Sequence, residues 1–238
     1  MGRSVLSPLR EAVRLAKEKV TGSRRLRGRE PWPDWPRDDL EILHVMRLRR
    51  HLRKIGWVDS AIDNRPVDGK GEPIPWLCYA AIWMLEPRIK PTFRVFEYGS
   101  GSSTLWWARR AQHIVSCEHS SGWYKRMKDQ MPQNVTYIHR ELKPGGVYCR
   151  EINEHPGPFD VIVIDGRDRV NCAHQCIGKL SADGVIIWDN TDREHYAEGL
   201  EFLAAQGFRR LDFRGMGPIA TFATTTSILY KPDNCLGI

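Results

Sequence analysis

The sequence predicts an α/β fold: a doubly wound, mostly parallel seven-stranded sheet whose last strand is antiparallel, preceded by an N-terminal helical extension. Two observations support this prediction. From residue 93 onward, seven short runs rich in β-branched and aromatic residues alternate with helical patterns. Two of these runs hold continuous apolar stretches, at 161–164 and 185–187, which is typical of strands covered by helices on both faces.

The seven runs predict where the strands lie. They are FRVFEYG (93–99), HIVSCEH (113–119), VTYIHRE (135–141), FDVIVIDG (159–166), GVIIWDN (184–190), FRRLDFRG (208–215) and TTSILYKP (225–232). The segments between them that we predict to be helical are STLWWARRA, SGWYKRMKDQM, NCAHQCIGKL and EHYAEGLEFLAAQG. A short link joins the last two runs, so we expect them to form an antiparallel pair.

The N-terminal part of the chain is strongly basic. Residues 1–54 hold 15 Lys and Arg against 7 Asp and Glu, a net charge of +8, whereas residues 55–238 hold 21 against 22, a net charge of −1. Apolar spacing predicts a helix over 4–20, then a linker rich in Gly, Pro and Arg, then a helix from Asp38 to a stop at Gly56. This arm could meet nucleic acid or another acidic partner, or be an ordinary solvated surface.

The rest of the chain is expected to form one large domain. Residues 57–75 contain several prolines and glycines and are predicted to be mostly irregular, and the apolar stretch 74–85 is predicted to be helical. We therefore divide the chain into a basic helical extension over 1–56 and an α/β domain over 57–238. The sequence leaves open a homo-oligomer.

Composition restricts the cellular setting. No stretch approaches the length of about 18 apolar residues that a membrane helix needs, and no signal peptide is visible. The six cysteines include no Cys-x-x-Cys pair, which favours reduced thiols in a cytoplasmic protein. Cys172, His174 and Cys176 could suggest zinc, but on a helix His174 would point away from the two cysteines.

A glycine turn follows the first predicted strand. Gly99 and Gly101 lie where a strand gives way to a helix, and glycine there allows a ligand to approach the backbone closely. A dinucleotide site would have a third glycine at position 104, where this chain has Thr104. Glu97 places a negative charge beside the turn, which would repel a phosphate and suit a cationic group such as an amine.

Acidic residues also end three further strands. Glu118 lies 21 residues after Glu97, the spacing at which an acid accepts hydrogen bonds from ribose hydroxyls. Asp165 ends the fourth run and Asp189 the fifth, followed by Gly166 and Asn190 respectively. Because the carboxyl ends of parallel strands line the ligand crevice in such sheets, we expect an acidic rim there. This charge suits a ligand that carries a sulfonium and a free amine.

Residues 93–190 resemble the class I S-adenosylmethionine-dependent methyltransferases, which have a Rossmann-like fold. The motifs that carry the resemblance are FEYGSGSST, the acid of VSCEHS, VIVIDGRDR and GVIIWDN. The resemblance implies that Glu97 engages the amino end of S-adenosylmethionine, directly or through water. It also implies that Glu118 holds the ribose and that Asp165 lies near the methionine part or the sulfonium. The other residues that it places at this ligand are Gly99, Ser100, Gly101, Ser103, His119 and Gly166.

Three of these strand-end residues also resemble the metal ligands of the magnesium-dependent, catechol-type O-methyltransferases. Asp165, Asp189 and Asn190 would offer the oxygen ligands that Mg²⁺ prefers. The chain departs from that family at Arg167–Arg169, where a lysine often acts as a base. The alternative is that Asp189 and Asn190 orient the substrate without a metal.

The resemblance implies a methyltransferase, and we expect O-methylation of a small-molecule hydroxyl. The candidate bases are Asp189, His195 and Asp168, since each is near the end of the fourth or fifth strand. Two alternatives remain open: a nucleic-acid methyltransferase that uses the basic arm, and a non-catalytic protein that binds an adenosine ligand. Thr104 and Glu97 count against a nicotinamide-dependent oxidoreductase.

Overall fold

The computed structural model describes residues 37–238. The chain divides into two units between Ile55 and Gly56. The described part of the first unit is one helix, α1 (Arg37–Lys54), which confirms the helix predicted to begin at Asp38. The predicted helix over 4–20 and the linker after it lie outside the described residues, and the division into two domains stays a prediction.

The second unit is built around a single sheet of seven strands. In chain order the strands are β1 (Arg94–Tyr98), β2 (His113–Glu118), β3 (Val135–His139), β4 (Phe159–Ile164), β5 (Leu180–Asp189), β6 (Arg209–Gly215) and β7 (Thr224–Tyr230). Their order across the sheet is β3-β2-β1-β4-β5-β7-β6. The five strands from β3 to β5 pair in parallel, and β7 pairs antiparallel with both β5 and β6. The predicted sheet is therefore confirmed.

Helices connect the strands. They are α2 (Trp57–Asp63), α3 (Tyr79–Leu85), α4 (Ser102–Ala108), α5 (Ser121–Met127), α6 (Val147–Arg150), α7 (Arg169–Cys176) and α8 (Ala197–Ala205). Short 3₁₀ turns follow or precede several of them, at Glu86–Arg88, Lys128–Gln130, Glu151–Glu154, Ile177–Lys179 and Glu194–Tyr196.

The core lies on both faces of the sheet. Residues 161–164 of β4 and 185–188 of β5 are at most 1% exposed, which confirms that these strands are covered on both sides. Because successive residues of a strand face opposite ways, Phe96 and Tyr98 pack into a cluster with α6, α7 and α8. Glu97, between them, faces the other side of the sheet, where α4 lies.

Two local predictions before β1 need correction. The segment predicted to be mostly irregular contains helix α2, which begins after Gly56 in the left-handed region (φ 84°) and ends at Asn64 (φ 48°). The segment predicted to be helical from residue 74 becomes helical only at Tyr79. Prolines at 73 and 75 have no amide hydrogen to donate within a helix, and the amide of Cys78 instead donates to Thr226 Oγ1 at 3.0 Å.

Two further observations concern the helices and the cysteines. Within residues 37–238, no helix combines the length and the apolar character needed to cross a bilayer. All six cysteines are buried and free, and burial raises the pKa of Cys176 to about 12. Such thiols are unreactive, in keeping with packing in the core.

Candidate functional site

A cleft of about 1130 Å³ opens at the carboxyl ends of β1, β2, β4 and β5. β1 pairs with β2 on one side and with β4 on the other. The cleft lies at this point, which is the switch point of the sheet. Its walls include the turn after β1, the residues that follow β2, β4 and β5, the loop after α2 and the loop between β6 and β7. The predicted crevice therefore exists as one continuous space.

The turn after β1 brings two backbone segments unusually close together. Gly99 has a φ of 97°, and a Cβ atom at this position would lie 3.1 Å from the amide nitrogen of Gly166. Gly101 has a φ of 149°, and its Cβ position faces the ring of Trp123 at 3.6 Å. Only glycine adopts these angles at little cost, so the backbone of this turn is open to a ligand.

Glu97 lies beneath this turn rather than on the cleft wall. Its Oε2 accepts hydrogen bonds from Thr104 Oγ1 at 2.5 Å and from Ser116 Oγ at 3.0 Å. Thr104 Oγ1 in turn accepts from the amide of Gly101 at 3.1 Å, so Thr104 ties the turn to the strand. Burial raises the pKa of Glu97 to about 7, although the nearby hydroxyls of Ser103, Thr104 and Ser116 oppose this.

The second oxygen of Glu97, Oε1, is buried without a hydrogen-bond partner among the described residues. An unpaired buried acceptor is costly, and a ligand that donates a hydrogen bond would relieve this cost. The protonated amine of S-adenosylmethionine is such a donor. The residues around the turn therefore fit the amino end of this molecule.

Glu118 lines the cleft on the other side of the turn. Its Oε2 accepts from Ser100 Oγ at 2.7 Å, and its Oε1 accepts from the amide of Ser120 at 2.7 Å. His119 Nδ1 lies 3.1 Å from the same Oε1. Burial alone would raise the pKa of Glu118, but the contacts with His119, Ser100 and Ser120 outweigh it and lower the pKa. The group is therefore an ionised acceptor with one position on Oε2 still free.

A buried arginine connects the ends of β4 and β5. Arg169 is only 5% exposed. Its Nη2 donates to Asp165 Oδ1 at 2.9 Å, its Nε donates to the Gly166 carbonyl at 3.0 Å, and its Nη1 donates to the Asp189 carbonyl. Sequence analysis missed this role of Arg169, although an acid and an arginine four residues apart are a recognisable signal.

The two carboxyl groups beside Arg169 hold protons more tightly than usual. Burial raises the pKa of Asp189 to about 7, and the charge of Asp165 adds to the effect while a 2.6 Å hydrogen bond from Thr226 Oγ1 opposes it. Burial raises the pKa of Asp165 to about 6, against the lowering influence of Arg169. Asp189 thus changes protonation near neutral pH, where a proton acceptor is most effective.

These residues do not fit the predicted magnesium ion. Asp165 Oδ1 accepts a hydrogen bond from Arg169, and Asp189 Oδ1 accepts one from Thr226. The guanidinium of Arg169 already supplies a positive charge between the two strand ends, and a divalent cation beside it would be repelled. Within the described part of the chain, no group of three His, Cys, Asp or Glu residues could hold a metal ion.

The far wall of the cleft is apolar at its mouth. Trp76 and Phe222 line the cleft and are 49% and 66% exposed, respectively. Ile219, also in the lining, has a φ of 70°, which is a strained angle for a β-branched residue. Trp57 Nε1 donates to the Ala220 carbonyl at 2.8 Å and so ties α2 to this loop. Sequence analysis missed Phe222 and Trp123.

The cleft collects most of the residues predicted for the site, but not all of them. Those on its wall are Gly99, Ser100, Gly101, Ser103, Glu118, His119, Asp165, Gly166, Asp189 and Asn190. Asp168 lies outside it, where Oδ2 accepts from the amide of Gly145 at 2.9 Å and Oδ1 accepts from Asn171 Nδ2 at 2.7 Å. His195 is exposed and packs on the ring of Tyr196 away from the lining.

The cysteine and histidine cluster considered for zinc is dispersed. Cys172 and Cys176 lie in the core cluster of the sheet. His174 instead lies 3.2 Å from Glu198 and packs on Phe202. Trp106 and Trp107 are buried at 1% and 0% exposure, as expected for residues that pack against the sheet.

No family model matches this chain, and no curated protein matches it. Solved structures do. The precorrin-6Y C5,15-methyltransferase of Geobacter metallireducens has a TM-score of 0.50 at 16% identity, over 63% of this chain and 86% of that chain. A SAM-dependent O-methyltransferase of Thermotoga maritima has a TM-score of 0.50 at 16% identity, over 74% of this chain and 71% of that chain. At such identities the similarity shows the fold, which is that of the class I S-adenosylmethionine-dependent methyltransferases.

Proposed function

We propose that this protein is an S-adenosylmethionine-dependent methyltransferase that acts on a hydroxyl group of a small molecule. One observation carries the proposal: the open turn at Gly99–Gly101 lies between Glu118 and Asp165 in a single cleft, with the unpaired Oε1 of Glu97 beneath it. This combination offers acceptors for an amine, for ribose hydroxyls and for a positively charged sulfur.

These groups define the donor side of the cleft, the part that is proposed to bind the methyl donor S-adenosylmethionine. Glu118 is ionised and retains a free acceptor position, so it suits the ribose hydroxyls. Trp123, which donates from Nε1 to the Ser100 carbonyl at 3.0 Å, fixes the outer edge of the turn. The methyl donor supplies a sulfonium whose methyl group is transferred; the protein's contribution is to hold and orient it.

The acceptor side is proposed to lie at the ends of β4 and β5. Asp189 lines the cleft, is 4% exposed and has a pKa raised to about 7 by burial, so it can accept the hydroxyl proton at neutral pH. In the reaction, the acceptor oxygen forms a bond to the methyl carbon while the carbon–sulfur bond breaks. The electron pair of that bond stays on sulfur, and the proton passes to Asp189.

Arg169 is proposed as a positioning residue in this scheme. It fixes the carbonyl of Asp189 and the carboxylate of Asp165, and its charge limits how far the pKa of both carboxyl groups rises. We therefore propose metal-independent chemistry. The buried free thiols support a reducing compartment such as the cytoplasm.

The proposal is tested by calorimetric titration with S-adenosylhomocysteine, the demethylated form of the donor. The full chain should bind it, and Glu118→Ala should weaken binding by roughly 10- to 100-fold because ribose acceptors are lost. Glu141→Ala, which removes an exposed acid that pairs with Lys143, is the matched control and should leave the affinity unchanged. Absence of binding by the unsubstituted chain would refute the proposed function.

A further inference from the structure

Four exposed arginines line the cleft without a salt bridge to an acid among the described residues. Arg126 lies over the ring of Trp123, and the other three are in loops. Arg65 lies in the loop after α2, Arg167 follows β4 and Arg193 follows β5. All three are exposed, and in the described part of the chain none of them has an ion pair or a side-chain hydrogen bond. By contrast, Arg109 and Arg140 on other surfaces each pair with a glutamate.

Within the described residues, no acid of the cleft forms a salt bridge with these three arginines, although the charge of Arg193 lowers the pKa of Asp165. Glu118 is engaged by Ser100 and Ser120, and Asp165 is paired with the buried Arg169. Asp189 accepts a hydrogen bond from Thr226 at 2.6 Å. Asp63 is the one remaining acid among the lining residues that the structure describes. The described lining therefore holds five arginines against four acids, an excess of positive charge.

Three guanidinium groups exceed what the methyl donor can use. S-adenosylmethionine carries one carboxylate, which one arginine could hold. A guanidinium binds a carboxylate or phosphate through two parallel hydrogen bonds, so the other two can recognise a second anion. Trp76 and Phe222, both exposed at the mouth of the same cleft, offer an apolar surface beside this charge.

We propose that the methyl acceptor is a small anionic molecule, in which a carboxylate or phosphate is bound by Arg65, Arg167 and Arg193. An apolar body packs against Trp76 and Phe222, and the hydroxyl to be methylated faces Asp189. This inference rests on the proposed function and specifies the substrate class for the same cleft.

The test compares a hydroxylated acid with its neutral, equally shaped amide. We would titrate 3,4-dihydroxybenzoate, 3,4-dihydroxybenzamide and phenyl phosphate into the full chain by calorimetry, both alone and saturated with S-adenosylhomocysteine. We expect at least one of the two anions to bind about 10-fold more tightly than the amide, as a charge-assisted contact predicts. Which anion binds more tightly distinguishes a carboxylate from a phosphate acceptor.

Single substitutions then identify which arginines contact the bound anion. Arg65→Gln, Arg167→Gln and Arg193→Gln should each weaken anion binding by roughly 3- to 10-fold while leaving amide binding unchanged. Arg209→Gln removes an exposed arginine of β6, away from the cleft, and should change neither. Thermal unfolding of each variant confirms that the fold is retained.

Three outcomes would overturn the inference. The first is that neither anion binds more tightly than the amide. The second is that the three substitutions weaken S-adenosylhomocysteine alone, which would assign the arginines to the donor carboxylate. The third is that a short single-stranded RNA binds more tightly than either acid and loses affinity in the same variants. Failure of S-adenosylhomocysteine to bind would instead refute the proposed function. The titrations of the two anions into the chain alone would still show whether the anion site exists.

Discussion

Gly99 and Gly166 meet backbone against backbone where β1 and β4 end. A Cβ on Gly99 would lie 3.1 Å from the amide nitrogen of Gly166, and a Cβ on Gly166 would lie 3.0 Å from the amide nitrogen of Gly99. No side chain fits between the two turns. The turns that follow β1 and β4 are therefore in direct backbone contact at the cleft.

Substitution of Gly99 should therefore damage both stability and donor binding. Position 99 has a φ of 97°, and a Cβ atom there would make close contacts with residues 165 and 166. We therefore expect Gly99→Ala to destabilise the fold by about 2–4 kcal/mol. Gly71→Ala is a matched control, since Gly71 has a φ of 82° but its Cβ position has nothing within 4 Å. The free energy of unfolding of both variants is measured by chemical denaturation. The extra loss in Gly99→Ala over Gly71→Ala then reports the crowding at position 99, because backbone strain affects both positions. Equal losses in the two variants would contradict the proposed close contact.

The rate of methyl transfer should depend on the ionisation of Asp189. The base must be unprotonated, and its pKa is raised to about 7. With saturating donor, kcat/KM should therefore rise tenfold per pH unit below about 7 and level off above it. Asp189→Asn should lower the rate by roughly 10²- to 10⁴-fold and flatten this profile.

Two further variants test whether Asp189 or His195 is the base. Asp183→Asn changes an exposed aspartate of β5 outside the cleft and should leave the profile intact. His195→Gln tests the exposed histidine that sequence analysis also named. If His195→Gln flattens the pH profile and Asp189→Asn does not, the base is His195 and the assignment to Asp189 is wrong.

Removal of the Arg169 charge should shift the pH profile. Its charge lowers the pKa of both Asp165 and Asp189, so in Arg169→Met both pKa values rise and the midpoint of the kcat/KM profile moves to higher pH. Loss of a buried ion-pair partner should also cost about 3–5 kcal/mol of stability. In Arg169→Lys the midpoint of the kcat/KM profile should lie closer to that of the unsubstituted chain. Arg110→Met, which breaks an ion pair with Glu86 elsewhere, should not move the midpoint. A destabilised variant with an unmoved midpoint would leave Arg169 with a structural role only.

Methyl transfer should not require a metal. Because Arg169 occupies the charge position that a cation would take, activity should be unchanged in EDTA and after added Mg²⁺. The assay compares initial rates before and after chelation, with stability followed in parallel. Loss of activity in EDTA that Mg²⁺ restores would show that the carboxyl groups bind a metal after all.

The strands and the strand-end acids were predictable because they depend on local patterns. Continuous apolar runs such as 161–164 are typical of strands buried on both faces, and parallel pairing then places Glu118 and Asp165 at one edge. Helix α2 was not predictable in this way. Its seven residues are too few for intrinsic stability, and a contact distant in sequence, from Trp57 to Ala220, supports it.

Side-chain direction accounts for the remaining differences. His195 and Tyr196 are adjacent in one 3₁₀ turn, yet Tyr196 is buried and His195 is exposed. Nothing in the local sequence distinguishes the inward from the outward position. Arg169 similarly looks like a surface residue until the fold shows that its head group has four acceptors around it.

The position of β7 has a consequence for synthesis of the protein. β7 follows β6 in the chain but is inserted between β5 and β6, and it carries Thr226, which donates to Asp189. A nascent polypeptide that stops before residue 224 would thus leave β6 without a neighbour and the carboxyl group of Asp189 without its hydroxyl donor. We expect catalytic competence to be acquired only after β7 has been synthesised, so chains that stop before residue 224 would be inert.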